Sequence, residues 1–140
     1  MIKVRNNLFQ GSLDDLNIET LRINKITHVI VAAKELDCIL PDYICWNDRL
    51  QECTHFIHYN LVDDATDQKE LINEILCDLN GFLREIDSKI LVICAAGLSR
   101  SPYIIARYLS KKDGKSLDII YRELKILNNA IDENTQMKCN

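Results

Sequence analysis

Residues 90–102 restrict the fold of this chain more than any other stretch of its sequence. They begin with the apolar, β-branched run Ile-Leu-Val-Ile, which predicts a buried strand that ends at Cys94. Five small or uncharged residues follow, and Arg100, Ser101 and Pro102 then open a helix, since proline is favoured in a first helical turn. A strand that passes through a tight loop into a helix is typical of an α/β fold.

The loop between Cys94 and Arg100 has the residue types of a phosphate-binding site. A loop of this length that circles back on itself directs its backbone N–H groups inward, and the next helix adds the positive end of its dipole. The guanidinium of Arg100 can donate two parallel hydrogen bonds to the same anion. This field would also stabilise the thiolate of Cys94. The loop therefore predicts a phosphate held against an activated sulfur nucleophile.

The rest of the chain alternates between strand and helix patterns, which predicts a mostly parallel sheet with helices on its faces. We expect Asp67 and Glu70 to form a capping box, and Gly81 to mark a close contact inside the helix that they begin. The other predicted elements are a hairpin around Asn6-Asn7, strands at 26–33, 56–62 and 90–93, helices at 13–23, 67–88, 102–112 and 116–127, and a short helix near 45–53.

Composition excludes several classes of protein. A chain of 140 residues fits one domain, 1–140, and it has no apolar run long enough to span a membrane or to act as a signal peptide. A net charge of −4 with scattered basic residues argues against nucleic acid or a membrane surface as a partner. Six cysteines in such a chain favour reduced thiols and therefore a reducing, cytoplasmic compartment. The sequence does not indicate the oligomeric state.

A metal site is a possible interpretation of Cys45, Cys53, His55 and His58, which are all metal-ligating residue types. Their spacing, Cys-x7-Cys-x-His-x2-His, fits no common structural zinc site. The two histidines are three residues apart on or beside a strand, so their side chains should point to opposite faces. We therefore expect no metal and no cofactor.

Residues 94–101, Cys-Ala-Ala-Gly-Leu-Ser-Arg-Ser, resemble the Cys-x5-Arg-Ser signature of the cysteine-dependent protein phosphatases, in particular their dual-specificity branch. The resemblance extends over nearly the whole chain. Residues 4–12 are similar to that family's opening strand pair and residues 26–30 to its next strand, and the Leu-Val-Asp-Asp at 61–64 is very similar to that of viral members. It implies a single α/β domain whose phosphate-binding loop lies between a central strand and a helix.

The resemblance also implies a role for each site residue. Cys94 would attack phosphorus and form a cysteinyl-phosphate, Arg100 would clamp two phosphate oxygens, and Ser101 would assist the sulfur as it leaves in the second step. The structural alternatives are a core cysteine, a surface ion pair and a helix N-cap. The phosphate would be bound by Ala95, Ala96, Gly97, Leu98, Ser99 and Arg100, and Gly97 is expected where the loop turns with positive φ or approaches the ligand closely.

The general acid is placed by the resemblance at Asp63, 31 residues before Cys94. Asp64 and Asp67 remain alternatives, and Asp67 fits better as a helix cap. The family usually has a histidine before the nucleophile, where this chain has Ile93. The chain is therefore either an active phosphatase or a phosphopeptide-binding domain that has lost turnover.

Substrate class follows from the loop side chains and from the resemblance. Ala95, Ala96 and Leu98 carry no charge, whereas relatives that act on polyphosphorylated lipids have basic residues there. Phosphorylated proteins are the expected substrates and partners, with phosphotyrosine, phosphoserine and phosphothreonine all accepted.

Overall fold

The structure is a computed structural model that describes residues 1–37, 54–63, 65–134 and 137–140. Within these ranges the strands are β1 (Ile2–Arg5), β2 (Leu8–Ser12), β3 (His28–Ala32), β4 (His55–Tyr59) and β5 (Ile90–Cys94). The α-helices of the same ranges are α1 (Ile18–Ile23), α2 (Lys69–Leu83), α3 (Arg100–Asp113) and α4 (Leu117–Leu127). Short 3-10 turns occupy Leu13–Asp15, Lys34–Leu36 and Met137–Cys139.

The strands form a single mixed sheet in the order β1-β2-β5-β3-β4. The β1–β2 hairpin is antiparallel and the other three pairings are parallel, so the predicted mostly parallel α/β sheet is confirmed. β5 lies at the centre, and every one of its residues is buried because helices or turns cover both faces. Its last residue, Cys94, pairs with Ser12 of β2 at the carboxyl edge of the sheet.

Two apolar layers enclose the sheet. On one face, α2 and α3 pack against β5, and α4 packs against α3 and β1. Their apolar side chains form one cluster, which includes Ile75, Ile104, Leu124, Val92 and Ile30. On the other face, α1 and the 3-10 turns at Leu13–Asp15 and Lys34–Leu36 pack in a second cluster, which includes Leu16, Leu21, Leu36, Phe9 and Ile93. Each fully buried side chain of this size contributes about 1.5–3 kcal/mol. The helix α3 that follows Cys94 is therefore fixed to the sheet along its length.

The helix predicted over 13–23 is divided in two. Leu13–Asp15 form a 3-10 turn, and α1 begins only at Ile18. Asn17 interrupts the segment because its side chain accepts a hydrogen bond of 2.8 Å from the N–H of Thr20, which makes it an N-cap.

The helix predicted over 67–88 is shorter than expected, and its predicted cap is wrong. Asp67 has a left-handed backbone with φ 60°, so it lies outside the helix, and Gln68 takes the N-cap position without a side-chain cap. The predicted close contact at Gly81 is also wrong, since a Cβ there would meet no described atom within 4 Å. The helix predicted near 45–53 lies outside the described residues. No helix in the described ranges is long and apolar enough to cross a membrane.

Candidate active site

The loop that joins β5 to α3 turns three of its carbonyl groups outward, to donors elsewhere in the chain. Ala95 O accepts a hydrogen bond from the N–H of Leu13 at 3.2 Å, Gly97 O from the side-chain amide of Gln10 at 2.7 Å, and Leu98 O from the N–H of Asp132 at 2.8 Å. In a trans peptide the C=O and the next N–H point in opposite directions. The N–H groups of residues 96, 98 and 99 are therefore directed away from these donors, as a cradle for an oxyanion requires.

Gly97 provides the turn that lets the loop close. Its φ is 74°, in the left-handed region that favours glycine, and the predicted positive φ is confirmed. A Cβ at this position would lie 2.8 Å from the carbonyl oxygen of Gly11 and 2.9 Å from the Cβ of Ser12. The loop therefore passes so close over the end of β2 that no side chain fits between them.

Arg100 begins α3 with only 5% of its surface exposed. Its Nη1 and Nη2 atoms both donate to the carboxylate of Glu35, and Nη1 also donates to Leu61 O at 3.1 Å. Its Nε is buried and has no acceptor among the described residues. Glu35 thus occupies the Nη1–Nη2 end of the guanidinium. Its Nε–Nη2 edge keeps two N–H donors, which can bind a second oxyanion through two parallel hydrogen bonds.

The ion pair also fixes the charges of both groups. Hydrogen bonding to Arg100 is the main cause that lowers the pKa of Glu35 to about 2. The pKa of Arg100 is raised, chiefly by its hydrogen bond to Glu35 and further by the charges of Cys94 and Asp63. Arg100 therefore lies within the electrostatic reach of the other two residues. Glu35 was missed by the sequence interpretation, although an acidic residue three positions after the end of the buried strand β3 was a usable signal.

Cys94 lies at the bottom of the loop, buried, with its sulfur 3.4 Å from the hydroxyl oxygen of Ser101. Ser101 lies inside the first turn of α3 and is completely buried, so its interpretation as the helix N-cap is wrong. Ser99 holds the N-cap position, without a side-chain cap hydrogen bond.

Asp63 follows β4 and reaches the loop through hydrogen bonds. Its Oδ1 accepts from the hydroxyl of Ser99 at 3.1 Å and from the side-chain amide of Asn134 at 2.8 Å. The Asn134 amide also donates to the Ser99 hydroxyl at 2.8 Å, and Asn134 is only 3% exposed. Asp67 lies farther along, exposed, just before α2, and Asp64 lies outside the described residues. Nothing in the local sequence pointed to Asn134.

Ile93 packs away from this polar group. It is fully buried, in the apolar cluster with Phe9 and Leu91 on the α1 face of the sheet. Within the described ranges, no group of three or more His, Cys, Asp or Glu side chains has an arrangement that could hold a metal ion. Cys45 and Cys53, two members of the set considered from sequence, lie outside those ranges.

Comparison with known proteins places this arrangement in a family. Residues 8–139 match the family model described as the dual specificity phosphatase catalytic domain. The chain is 29% identical over 146 residues to the dual specificity protein phosphatase OPG106 of vaccinia virus, strain Western Reserve, which covers 99% of this chain and 78% of that protein. It is 28% identical over 147 residues to the dual specificity protein phosphatase H1 of variola virus, with the same coverage of both chains.

Solved structures share the fold. The human tyrosine phosphatase-like serine/threonine/tyrosine-interacting protein superposes with a TM-score of 0.80 at 18% identity, over 97% of this chain and 89% of that one. DUSP15 superposes with a TM-score of 0.75 at 23% identity, over 99% of this chain and 82% of that one. The chain therefore belongs to the dual specificity protein phosphatases, a family of phosphoric monoester hydrolases.

Proposed function

We propose that residues 1–140 form one catalytic domain that hydrolyses phosphotyrosine, phosphoserine and phosphothreonine in proteins through a cysteinyl-phosphate on Cys94. The observation that carries this proposal is the outward direction of three loop carbonyls beside a buried sulfur. The resulting ring of N–H groups, together with the Nε–Nη2 edge of Arg100, suits a phosphate group. We infer that residues 95–100 bind it.

In the first step, the thiolate of Cys94 attacks phosphorus in line with the leaving oxygen. The S–P bond forms, the P–O bond to the substrate breaks, and Asp63 gives its proton to the departing oxygen. Ser99 and Asn134 hold Asp63 beside the loop, which favours it over Asp67 as the acid. The planar fork of Arg100 stays on two phosphate oxygens throughout the transfer.

In the second step, water attacks the cysteinyl-phosphate while Asp63, now ionised, takes a proton from that water. The S–P bond breaks, inorganic phosphate leaves, and the sulfur departs as a thiolate. The Ser101 hydroxyl, 3.4 Å from the sulfur, donates a hydrogen bond to the negative charge that develops there. The enzyme returns to its starting state without a cofactor.

The uncharged side chains of Ala95, Ala96 and Leu98 suit a single phosphate on a protein better than a polyphosphorylated ligand. A working thiolate also requires a reducing compartment, so we place the protein inside the cell, or inside the host cell if it is viral.

The test follows release of p-nitrophenol and of phenol from their phosphate monoesters. We expect turnover by the unmodified chain and none by Cys94→Ser. Asp63→Ala should lower kcat by about 10²–10⁴-fold for phenyl phosphate, and by less for the nitrophenyl ester because its leaving group needs protonation less. An equal loss for both esters would remove Asp63 from the role of acid. Phosphopeptides of one sequence carrying phosphotyrosine, phosphoserine or phosphothreonine then establish the specificity.

A second candidate function is favoured by Ile93, whose side chain has no polar group. In that case the domain binds a phosphopeptide without hydrolysing it. The same assays distinguish the two functions, because a binding domain would retain phosphopeptide affinity and release neither phenol nor nitrophenol.

A further inference from the structure

Gln10 is a buried amide in a strand whose preceding residues, Leu8 and Phe9, are apolar and buried. Only 1% of its surface is exposed. A buried amide without partners costs free energy, so a polar residue here must find acceptors or destabilise the sheet. It lies opposite Val92 on β5, two residues before the nucleophile, which brings its side chain under the phosphate loop.

The amide nitrogen of Gln10 meets three acceptors at once. It is 2.7 Å from Gly97 O, 2.9 Å from the hydroxyl oxygen of Ser101 and 3.2 Å from Gly11 O. Two of these are carbonyl oxygens, which would repel the oxygen of the amide, so chemistry fixes the nitrogen at this point. The amide nitrogen of Gln10 therefore donates both to one carbonyl of the loop and to the Ser101 hydroxyl oxygen.

This contact determines where the Ser101 proton goes. Since the Gln10 N–H occupies one lone pair of the hydroxyl oxygen, the hydroxyl proton is left for two acceptors. These are Gly11 O at 3.2 Å and the Cys94 sulfur at 3.4 Å. A sulfur that carries negative charge is the stronger acceptor, so the proton turns toward it as the thiolate forms.

We propose that Gln10 is a positioning residue: it orients the Ser101 hydroxyl toward the departing sulfur and anchors the loop through Gly97. The proposal deepens the proposed function and rests on it. Ile93 supplies no hydrogen bond from the other face of the sheet, and among the described residues the side-chain donor to a loop carbonyl is Gln10 of β2. Gln10 does not touch the substrate, and it acts through Ser101.

The test is Gln10→Met, which keeps the length of the side chain and removes both donors. In rapid-mixing experiments with p-nitrophenyl phosphate, we expect the rate constant of cysteinyl-phosphate hydrolysis to fall about tenfold and kcat/KM to fall at most about threefold. The same substitution in a Ser101→Ala background should lower the hydrolysis rate constant by less than about twofold, because Gln10 then has no hydroxyl to orient. Additive losses, or an unchanged rate constant in the single variant, would overturn the proposal.

Thr54→Val is the matched control, since Thr54 is also buried and donates to a backbone carbonyl, Ile26 O, at 3.0 Å. It should leave both rate constants unchanged. If Gln10→Met does not fold, Gln10→Asn retains the amide but withdraws it by one methylene, and the same losses are expected. If the unmodified chain has no turnover, the proposed function fails separately. Calorimetry with inorganic phosphate then tests Gln10 alone, and equal affinity in the variant would overturn its anchoring role.

Discussion

Replacing Gly97 by alanine should destabilise the protein by about 2–4 kcal/mol. About 1 kcal/mol comes from placing a Cβ on a backbone with φ 74°. The rest comes from overlap with β2, because the new Cβ would lie 2.8 Å from Gly11 O and 2.9 Å from Ser12 Cβ, and overpacking of this kind costs about 1–3 kcal/mol. In a chain of 140 residues, 1 kcal/mol corresponds to about 3 °C in Tm, so we expect a fall of about 6–12 °C.

Gly114 offers a matched control. Its φ is 66°, but a Cβ there would meet nothing within 4 Å, so Gly114→Ala should lower Tm by only about 3 °C. Differential scanning calorimetry measures both variants, and calorimetric titration with vanadate shows whether the loop still binds an anion. We expect Gly97→Ala to lose vanadate binding and Gly114→Ala to retain it. If the two variants melt within about 2 °C of each other and both bind vanadate, the close packing of the loop against β2 is refuted.

Three further predictions concern charge, the acid and position 93. In the folded protein the pKa of Glu35 is about 2, below its ordinary value of 4.5. The stabilisation that its ionised carboxylate gives the folded protein is therefore complete above pH 4.5 and is lost as the pH falls through 2. Because Glu35 is half-exposed, Glu35→Gln should lower the free energy of unfolding by only about 1 kcal/mol at pH 7. In urea unfolding, the difference in this free energy between the variant and the unmodified chain should shrink below pH 4. Asn134→Leu should lower kcat about tenfold with little change in KM, because Asp63 is then no longer held in position. The fall in rate at high pH, where the acid has lost its proton, should become smaller in this variant, and an unchanged fall would contradict the contact between Asn134 and Asp63. Ile93→His should raise the rate of aryl phosphate hydrolysis and move its acidic limb, and identical profiles would refute the interpretation of that position.

Local sequence patterns were sufficient to predict most of the elements. The run before Cys94 gave β5, and the apolar stripe of 72, 75 and 79 gave α2, because both patterns depend only on the backbone period. The errors were at helix ends, at Asn17 inside the helix predicted over 13–23, and at Gly81. Asp67 has the composition of a cap but a left-handed backbone, and only the path of the loop between β4 and α2 decides that conformation.

The residues of the candidate site also include some that a local sequence pattern identifies and some that it does not. Cys94, Arg100 and Ser101 are close in sequence, so one motif is sufficient to find them. Glu35 and Asp63 follow β3 and β4, and parallel strands bring such residues to one edge, so sheet topology would have identified both. Asn134 lies after the last α-helix and reaches Asp63 across 71 residues, a contact that no local pattern encodes.

The supports of the loop differ in how they depend on sequence. Of the three donors that hold its carbonyls, Leu13 and Asp132 use their backbone N–H groups, which almost any residue except proline supplies. Gln10 uses its side chain, so a single substitution on β2 can remove that support without altering the fold of the sheet. The loop then keeps the two backbone anchors, while the Ser101 hydroxyl loses the contact that orients it. Variation at position 10 should consequently alter the second chemical step more than anion binding, which separates the binding and turnover functions of one site.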